Sequence, residues 1–339
     1  MSPIQPALDA LCAEVSDCSA RIGHRVDPAT LGVLDRTGHL PLDPPGLASP
    51  NGACRLVRAA DGWIAVNLAR EEDRDLVPAW LGCDFGAEPW TLIEANVGGH
   101  ARAALIDGGA LLGLPVAAVG EAATGNPHAP LIRMANGGAR SGPLEVVDLS
   151  ALWAGPMCGA ILAAMGAAVT KVESVRRPDP TRISMPGFSA NLNGAKAHLV
   201  LDLASPEGQA ALRERIAAAD VLITSARPRA FATLGLDTAA VFDRNPGLVW
   251  TAVTAHGWSG EAALRVGFGD DTAAAGGLVR WTSDGPRFLG DALADPLTGL
   301  AAAAGTLRAL EQGGGLLVDA ALARSAAGAA EICRLPRAA

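Results

Sequence analysis

A chain of 339 residues is about two domains' worth of polypeptide, and with 50% hydrophobic and only 18% charged residues, against roughly 25% charged in an average soluble chain, it excludes disorder. Aromatics are only 4%, tyrosine is absent and the formal net charge is −8, so the chain repels phosphate backbones and lacks rings for base stacking; nucleic acid is excluded as a partner. Six cysteines (Cys12, Cys18, Cys54, Cys83, Cys158 and Cys333) show no CxxC pair and no histidine at zinc spacing, which implies reduced thiols, no metal site and a cytoplasmic protein.

In chain order, Pro6–Val15 is a candidate helix. Asp9, Glu14 and Asp17 interrupt the N-terminus early, so no signal-peptide pattern is expected. A Pro/Gly-rich passage, Leu40–Pro50, reads as a linker or wrapping arm. Cys54–Arg58 and Trp63–Leu68 flank an Asp61-Gly62 turn signal and predict a β-hairpin. Helical patterns over Glu71–Leu81 and Trp90–Leu112, the latter broken by Gly98-Gly99, and a short strand at Leu114–Val119 complete a small α+β unit. The turn-rich stretch Thr124–Pro143 is then the boundary between domains.

From Leu144 the pattern alternates: strand Leu144–Leu149, helix Met157–Met165, strand Ala168–Val172, strand Leu199–Leu203, helix Pro206–Ala218, and strands Val221–Thr224 and Leu248–Val253. That predicts an α/β fold with a Rossmann-like parallel sheet in the large domain and a smaller α+β domain before it. The divisions are 1–48 (helix and linker arm), 49–123 (small domain), 124–143 (linker) and 144–339 (large domain). Leu149–Thr170 carries no charge and is long enough to span a bilayer, but Gly155-Pro156, Gly159 and Gly166 punctuate it, so no membrane span is expected.

Several segments could carry chemistry. Asp148 to Pro156 takes a strand through Gly-Pro into a helix, leaving free N–H groups and a helix N-terminus above the sheet edge. Lys171 to Arg182 and Ala226 to Ala230 place Lys171, Arg176, Arg177, Arg227 and Arg229 in basic segments at strand ends, where open α/β sheets bind ligands. The other lysine, Lys196, precedes a strand; these are the chain's only two lysines, so an anion-binding role competes with plain solvated surface. Asp295 precedes Pro296 and a long alanine-rich run. It reads as an N-cap, and the helix N-terminus would keep its carboxylate ionised and able to attack an acyl carbonyl.

Taken together, Val146 to Pro156, Gly166 to Glu173, Asn193 to Lys196, Leu201 to Gly208, Ala219 to Ile223, Leu234 to Leu236 and Asn245 to Val249 resemble the family III CoA-transferases in order and spacing. The resemblance runs from Leu144 to about Ala330. It sets Asp295, with Thr298-Gly299, on the family's Asp-x-x-(Thr/Ser)-Gly position, whose aspartate is the acyl-accepting nucleophile. It implies an acyl-CoA transferase that moves CoA between an acyl-CoA donor and a carboxylic acid through an aspartyl intermediate, with CoA as cosubstrate, no tightly bound cofactor, and a homodimer.

Trp153 and Ala154 fall on the segment that lines the family's CoA site, Lys196 on its Asn-x-x-Lys-like position, and Arg265 near a basic residue the family uses. Departures from the pattern are Ser174 after Lys-x-Glu, Thr233 at a usual arginine position, and Thr224-Ser225-Ala226 in place of Glu-Asn-Phe, so that Ser225, Arg227 and Arg229 stand where the adenine and 3′-phosphate contacts are expected. The related racemases move an α-proton with a Gly-His-Asp histidine; Phe268 occupies that position, and phenylalanine exchanges no proton. His256 is the other titratable candidate, so a 2-methylacyl-CoA racemase is the alternative activity and a non-catalytic acyl-CoA-binding chain a third class. The small domain precedes the large one, which implies a permuted order relative to the family.

Overall fold

A computed structural model describes residues 3–84, 86–122, 128–138 and 142–336; the linker expected over 124–143 falls partly outside them. The first helix, α1 (Gln5–Ile22), runs a full turn and more beyond Val15, because Ala7, Leu11, Val15 and Cys18 keep one face apolar throughout. That face joins the core of the large unit, and so do Val26 and Val33 beyond it. Residues 4–33 therefore belong to the packed body, each buried Leu or Val contributing about 1.5–3 kcal/mol.

The predicted hairpin forms as β1 (Cys54–Ala59) and β2 (Gly62–Asn67), antiparallel with Ala59 opposite Gly62, and β3 (Val116–Ala118) adds to β2. Three helices, α2 (Glu71–Leu81), α3 (Pro89–Asn96) and α4 (Arg102–Leu112), cover this sheet and bury Val77, Trp80, Trp90, Ile93 and Leu105. A short 3-10 turn at Gly98-Gly99 makes the expected break.

The large sheet contains β4 (Leu131–Arg133), β5 (Glu145–Leu149), β6 (Ala168–Ser174), β7 (Ala197–Leu201), β8 (Val221–Thr224), β9 (Val249–Thr254) and, late in the chain, β12 (Leu316–Ala321). Between β9 and β12 a separate hairpin, β10 (Val279–Thr282) and β11 (Gly285–Phe288), packs on the small unit through Val279 and Phe288. The order is β4-β12-β9-β8-β5-β6-β7, parallel throughout except for β4.

Omitting β4, the sequence-order pattern is 3-2-1-4-5-6 from β7 to β12, the doubly wound order that opens a crevice beyond the strand C-termini where β5 meets β8. The connections are α5 (Ala154–Ala164), α6 (Thr181–Ser184), α7 (Pro186–Asn193), α8 (Pro206–Ala217), α9 (Pro228–Thr233), α10 (Thr238–Arg244), α11 (Gly269–Ala275) and α12 (Ala294–Glu311), and α13 (Leu322–Ile332) follows the last strand.

The charge-free stretch from Leu149 resolves into the end of β5, α5 and the start of β6, and no described helix is long and apolar enough to cross a membrane. Small residues earn their place along α12, which packs against α1, α5, α13 and β12. A Cβ on Gly299 would lie 2.7 Å from Met157 Sδ and 3.0 Å from the Ala154 carbonyl oxygen, so glycine is what lets α12 lie directly on α5.

Candidate active site

The helix carrying Asp295 starts two residues earlier than Pro296 implies. α12 begins at Ala294 after Leu293, so Asp295 sits inside its first turn rather than capping it. The turn before it is strained: Ala292 adopts φ 44°, a left-handed conformation uncommon for alanine, and its N–H is held by Asp270 Oδ1 at 2.7 Å. Two residues before Ala154, Leu152 has φ 70°, and its N–H is held by Asp179 Oδ2 at 3.1 Å. Two strained turns, each pinned by a buried carboxylate, thus bring the first turns of α12 and α5 together, and the Ala154 N–H lies beside the Asp295 carboxylate, where it favours the anion.

Around that carboxylate lies a cluster drawn from four distant segments. Arg36, from the N-terminal arm, pairs with Asp291 through Nε at 2.5 Å and Nη2 at 2.8 Å. Asn51 Nδ2 donates to both Asp270 Oδ2 and Asp291 Oδ1 at 2.7 Å. Gly269 leaves room for the Asp295 carboxylate: a Cβ there would fall 2.0 Å from its Oδ2. Asp295 keeps partial contact with solvent.

Dense surroundings push its carboxyl up to about 7; Arg36 and the Ala154 N–H pull it down, while Asp270 and Asp291 push it further up. The expectation that the helix end keeps this group fully ionised therefore fails, because desolvation and neighbouring carboxylates outweigh the helix N-terminus. Burial likewise raises Asp270 to about 6 against the pull of its Asn51 hydrogen bond, and Asp271 to about 7 against the N–H of Phe268.

Trp153 is buried before Ala154; its indole N–H donates to the Val33 carbonyl at 2.8 Å and its ring meets Phe188 edge-on at 5.2 Å. The Arg36 guanidinium lies over the same indole, 5.2 Å from its centroid.

The two lysines, expected at the sheet edge, are both buried in ion pairs. Lys171 lies within β6, because that strand continues to Ser174, and its Nζ meets Ser150 O and, at 3.3 Å, Asp179. Lys196 Nζ bonds Asp148 Oδ2 at 2.7 Å, the Pro156 carbonyl at 2.8 Å and Asn193 Oδ1 at 2.9 Å. Burial acts to raise the Asp148 carboxyl, yet Lys196 and Lys171 hold it down to about 2. Both lysines brace the turn that presents Trp153 and Ala154.

The arginines divide differently. Arg176 and Arg177 are exposed after β6, with Arg176 loosely paired to Asp202 at 3.5 Å. Arg227 is half-buried and Arg229 exposed after β8; burial, Arg229 and Arg70 lower the pKa of Arg227. Ser225 Oγ accepts from the Ala151 N–H at 2.8 Å, tying the β8 loop to the β5 loop. Arg265 is instead held by Glu121 at 2.5 Å and the Val116 carbonyl at 3.0 Å, joining the large unit to the small one. The His256 side chain is largely covered and pushed down to about 3 by desolvation and Arg265, a poor base for removing an α-proton, and Phe268 packs beneath the Arg70 guanidinium.

Composition and spacing did not single out Arg36, Asn51, Asp270 or Asp291. The Asp-Asp pair at 270 and 271 just before an alanine run was the available signal. Among the described residues no His, Cys, Asp and Glu grouping is suited to a metal ion.

Residues 143–332 match the model of CoA-transferase family III. The succinate–glutarate CoA-transferase of Agrobacterium fabrum is 34% identical over 199 residues, 53% of this chain and 50% of that protein. The succinyl-CoA–D-citramalate CoA-transferase of Chloroflexus aurantiacus is 32% identical over 194 residues, 52% of this chain and 47% of that protein. Among solved structures, a CaiB/BaiF family protein from Brucella suis is 29% identical with a TM-score of 0.52, covering 57% of this chain and 56% of that one. The chain spans about half the length of the curated relatives it matches, and the family match leaves residues 1–142 outside it.

Proposed function

The chain belongs to CoA-transferase family III, and from that premise we propose that it moves CoA from an acyl-CoA donor to a carboxylic acid, with Asp295 as the acyl-accepting nucleophile. The observation that carries the reading is the carboxyl of Asp295 in the first turn of α12, set among Arg36, Asp270 and Asp291 beside the N–H of Ala154 and partly open to solvent. An oxygen of the ionised carboxylate attacks the thioester carbon, the C–S bond breaks, and CoA leaves as thiolate from a mixed anhydride. The thiolate then attacks the Asp295 carbonyl carbon and expels the donor acid as carboxylate, leaving CoA on Asp295. The acceptor carboxylate repeats the two exchanges in reverse and frees Asp295.

Each step trades one anion for another, so no proton must be carried to or from carbon. That chemistry tolerates Phe268 where a racemase needs histidine, which favours transfer over the racemase. In this proposal Trp153 and Ala154 line the thioester end of CoA. Its phosphates meet Arg176, Arg177, Arg227 and Arg229, the cations left accessible at the edge of the β5/β8 crevice. Ser225, Lys171 and Lys196 act on CoA by shaping the loop between these arginines, and Arg265 by holding the small unit against it.

The related transferases act on succinyl-CoA with citramalate or on succinate and glutarate by their names, which makes dicarboxylic acids the first panel to assay. A homodimer and the permuted placing of the small unit belong to the same proposal.

Incubation with succinyl-CoA should leave a CoA adduct on the peptide containing Asp295, found by mass spectrometry and removed by hydroxylamine. Asp295→Asn should lose the adduct and reduce transfer by about three orders of magnitude or more with the fold intact. Undiminished transfer by that variant would overturn the assignment.

A further inference from the structure

The N-terminal arm also supplies a side chain to the cluster around Asp295. Arg36 reaches it from outside the family-matched segment, and three features separate this residue from an arginine that merely pins a loop. Its Nε and Nη2 are spent on Asp291, but Nη1 makes no hydrogen bond among the described residues and is not sealed from solvent, so one edge of the fork remains open. Its face is covered by the Trp153 indole, which is fixed by Val33 of the same arm and by Phe188, so the guanidinium is held in place before any ligand arrives. Its charge acts on both Asp270 and Asp295.

An acceptor acid reaching an acylated Asp295 has to bring its own carboxylate past Asp270 and Asp291, against like charge. A monocarboxylate has no second handle with which to offset that repulsion. A dicarboxylate does, provided that a cation holds the end that is not reacting.

Resting on the transfer reading above, we propose that Arg36 is a specificity-determining residue that binds the remote carboxylate of a dicarboxylic acceptor while the other carboxylate reacts at Asp295, with Asp291 occupying part of the fork until the acid arrives. The planar edge of arginine suits a carboxylate in two-point contact, a geometry lysine does not reproduce.

Calorimetric titration with glutarate and with butyrate tests this without turnover. The wild-type protein should bind glutarate roughly tenfold or more tightly than butyrate, the scale of one charge-assisted contact. Arg36→Gln should erase that difference. Asp291→Asn, which keeps Arg36 and removes its competitor, should tighten glutarate severalfold and butyrate by a clearly smaller factor, because both escape the repulsion of Asp291 but only glutarate gains the freed fork, a difference that a purely structural Arg36–Asp291 pair would not give. A glutarate preference that survives Arg36→Gln, or an Asp291→Asn protein that binds glutarate no better than wild type, would overturn the proposal. The CoA adduct on Asp295, read separately by mass, reports on transfer alone, so its absence would fail the transfer reading and not the carboxylate site.

Discussion

Asp148 and Asp295 are both carboxylates packed into the same large unit, and their surroundings drive them in opposite directions. Asp148 faces Lys196 and Lys171 and accepts from Ser150, so its charge is matched and it is held at about 2. Asp295 shares Arg36 with Asp270 and Asp291, so its charge is under-compensated and it rises to about 7. A matched buried charge serves as a brace, whereas an under-matched one is available for bond formation. The first supports the loop carrying Ala154; the second lies beside that residue's N–H.

Breaking the matched side should have the largest effect on stability. Lys196→Met leaves Asp148 buried with its nearest cation gone and should cost about 3–5 kcal/mol, measured by urea unfolding. A combined Asp148→Leu, Lys196→Met change removes both charges and should recover much of that loss, which would separate pairing from packing.

On the under-matched side, Gly269→Ala should displace the Asp295 carboxylate, because the added Cβ falls within 2.0 Å of Oδ2. We expect the turnover rate to fall about ten- to a hundredfold with less change in acyl-CoA affinity, read as kcat against KM. A variant with wild-type turnover would mean that the carboxylate position does not matter.

The acidity of Asp295 sets a gentler test. The nucleophile must be ionised, so turnover should climb with pH and level off above about 7, and Arg36→Gln should move the rise to higher pH by removing a charge that favours the anion.

Stability should respond with the opposite sign on the two sides. Asp295 has a folded value above its ordinary 3.8, so its contribution is fully present below that value and is lost as pH rises through about 7. Asp148 has a depressed value, so its contribution is present above 3.8 and is lost as pH falls through about 2. Asp295→Asn should therefore reduce the fall in unfolding midpoint between pH 4.5 and pH 7.5, the smallest of these effects.

Much of the framework was legible from periodicity. Glu71–Leu81 and Val221–Thr224 match their predicted bounds, and the alternation after Leu144 indicated a parallel sheet because fully buried strands read as short apolar runs. β12 escaped notice, since Leu316–Ala321 is interrupted by Asp319 and passes straight into α13 with no turn residue between them. Spacing alone read Asp295 as an N-cap; its proposed role came from the resemblance, which sets Asp295, Thr298 and Gly299 on the Asp-x-x-(Thr/Ser)-Gly position. The lysines were misleading: rarity suggested ligands, but rarity in this chain reflects that both are buried as ion-pair partners.

By itself, the order of residues determined the α/β alternation, the small unit ahead of it and the placing of Asp295 near a helix start, because those depend on neighbours within a few positions. Only the tertiary structure decided which charges would be matched. Arg36 and Asp291 are 255 residues apart, and Lys196 and Asp148 are 48 apart. Whether a buried carboxylate is a brace or a nucleophile depends on the local sum of charges and on exclusion of water, and both arise from packing distant segments together.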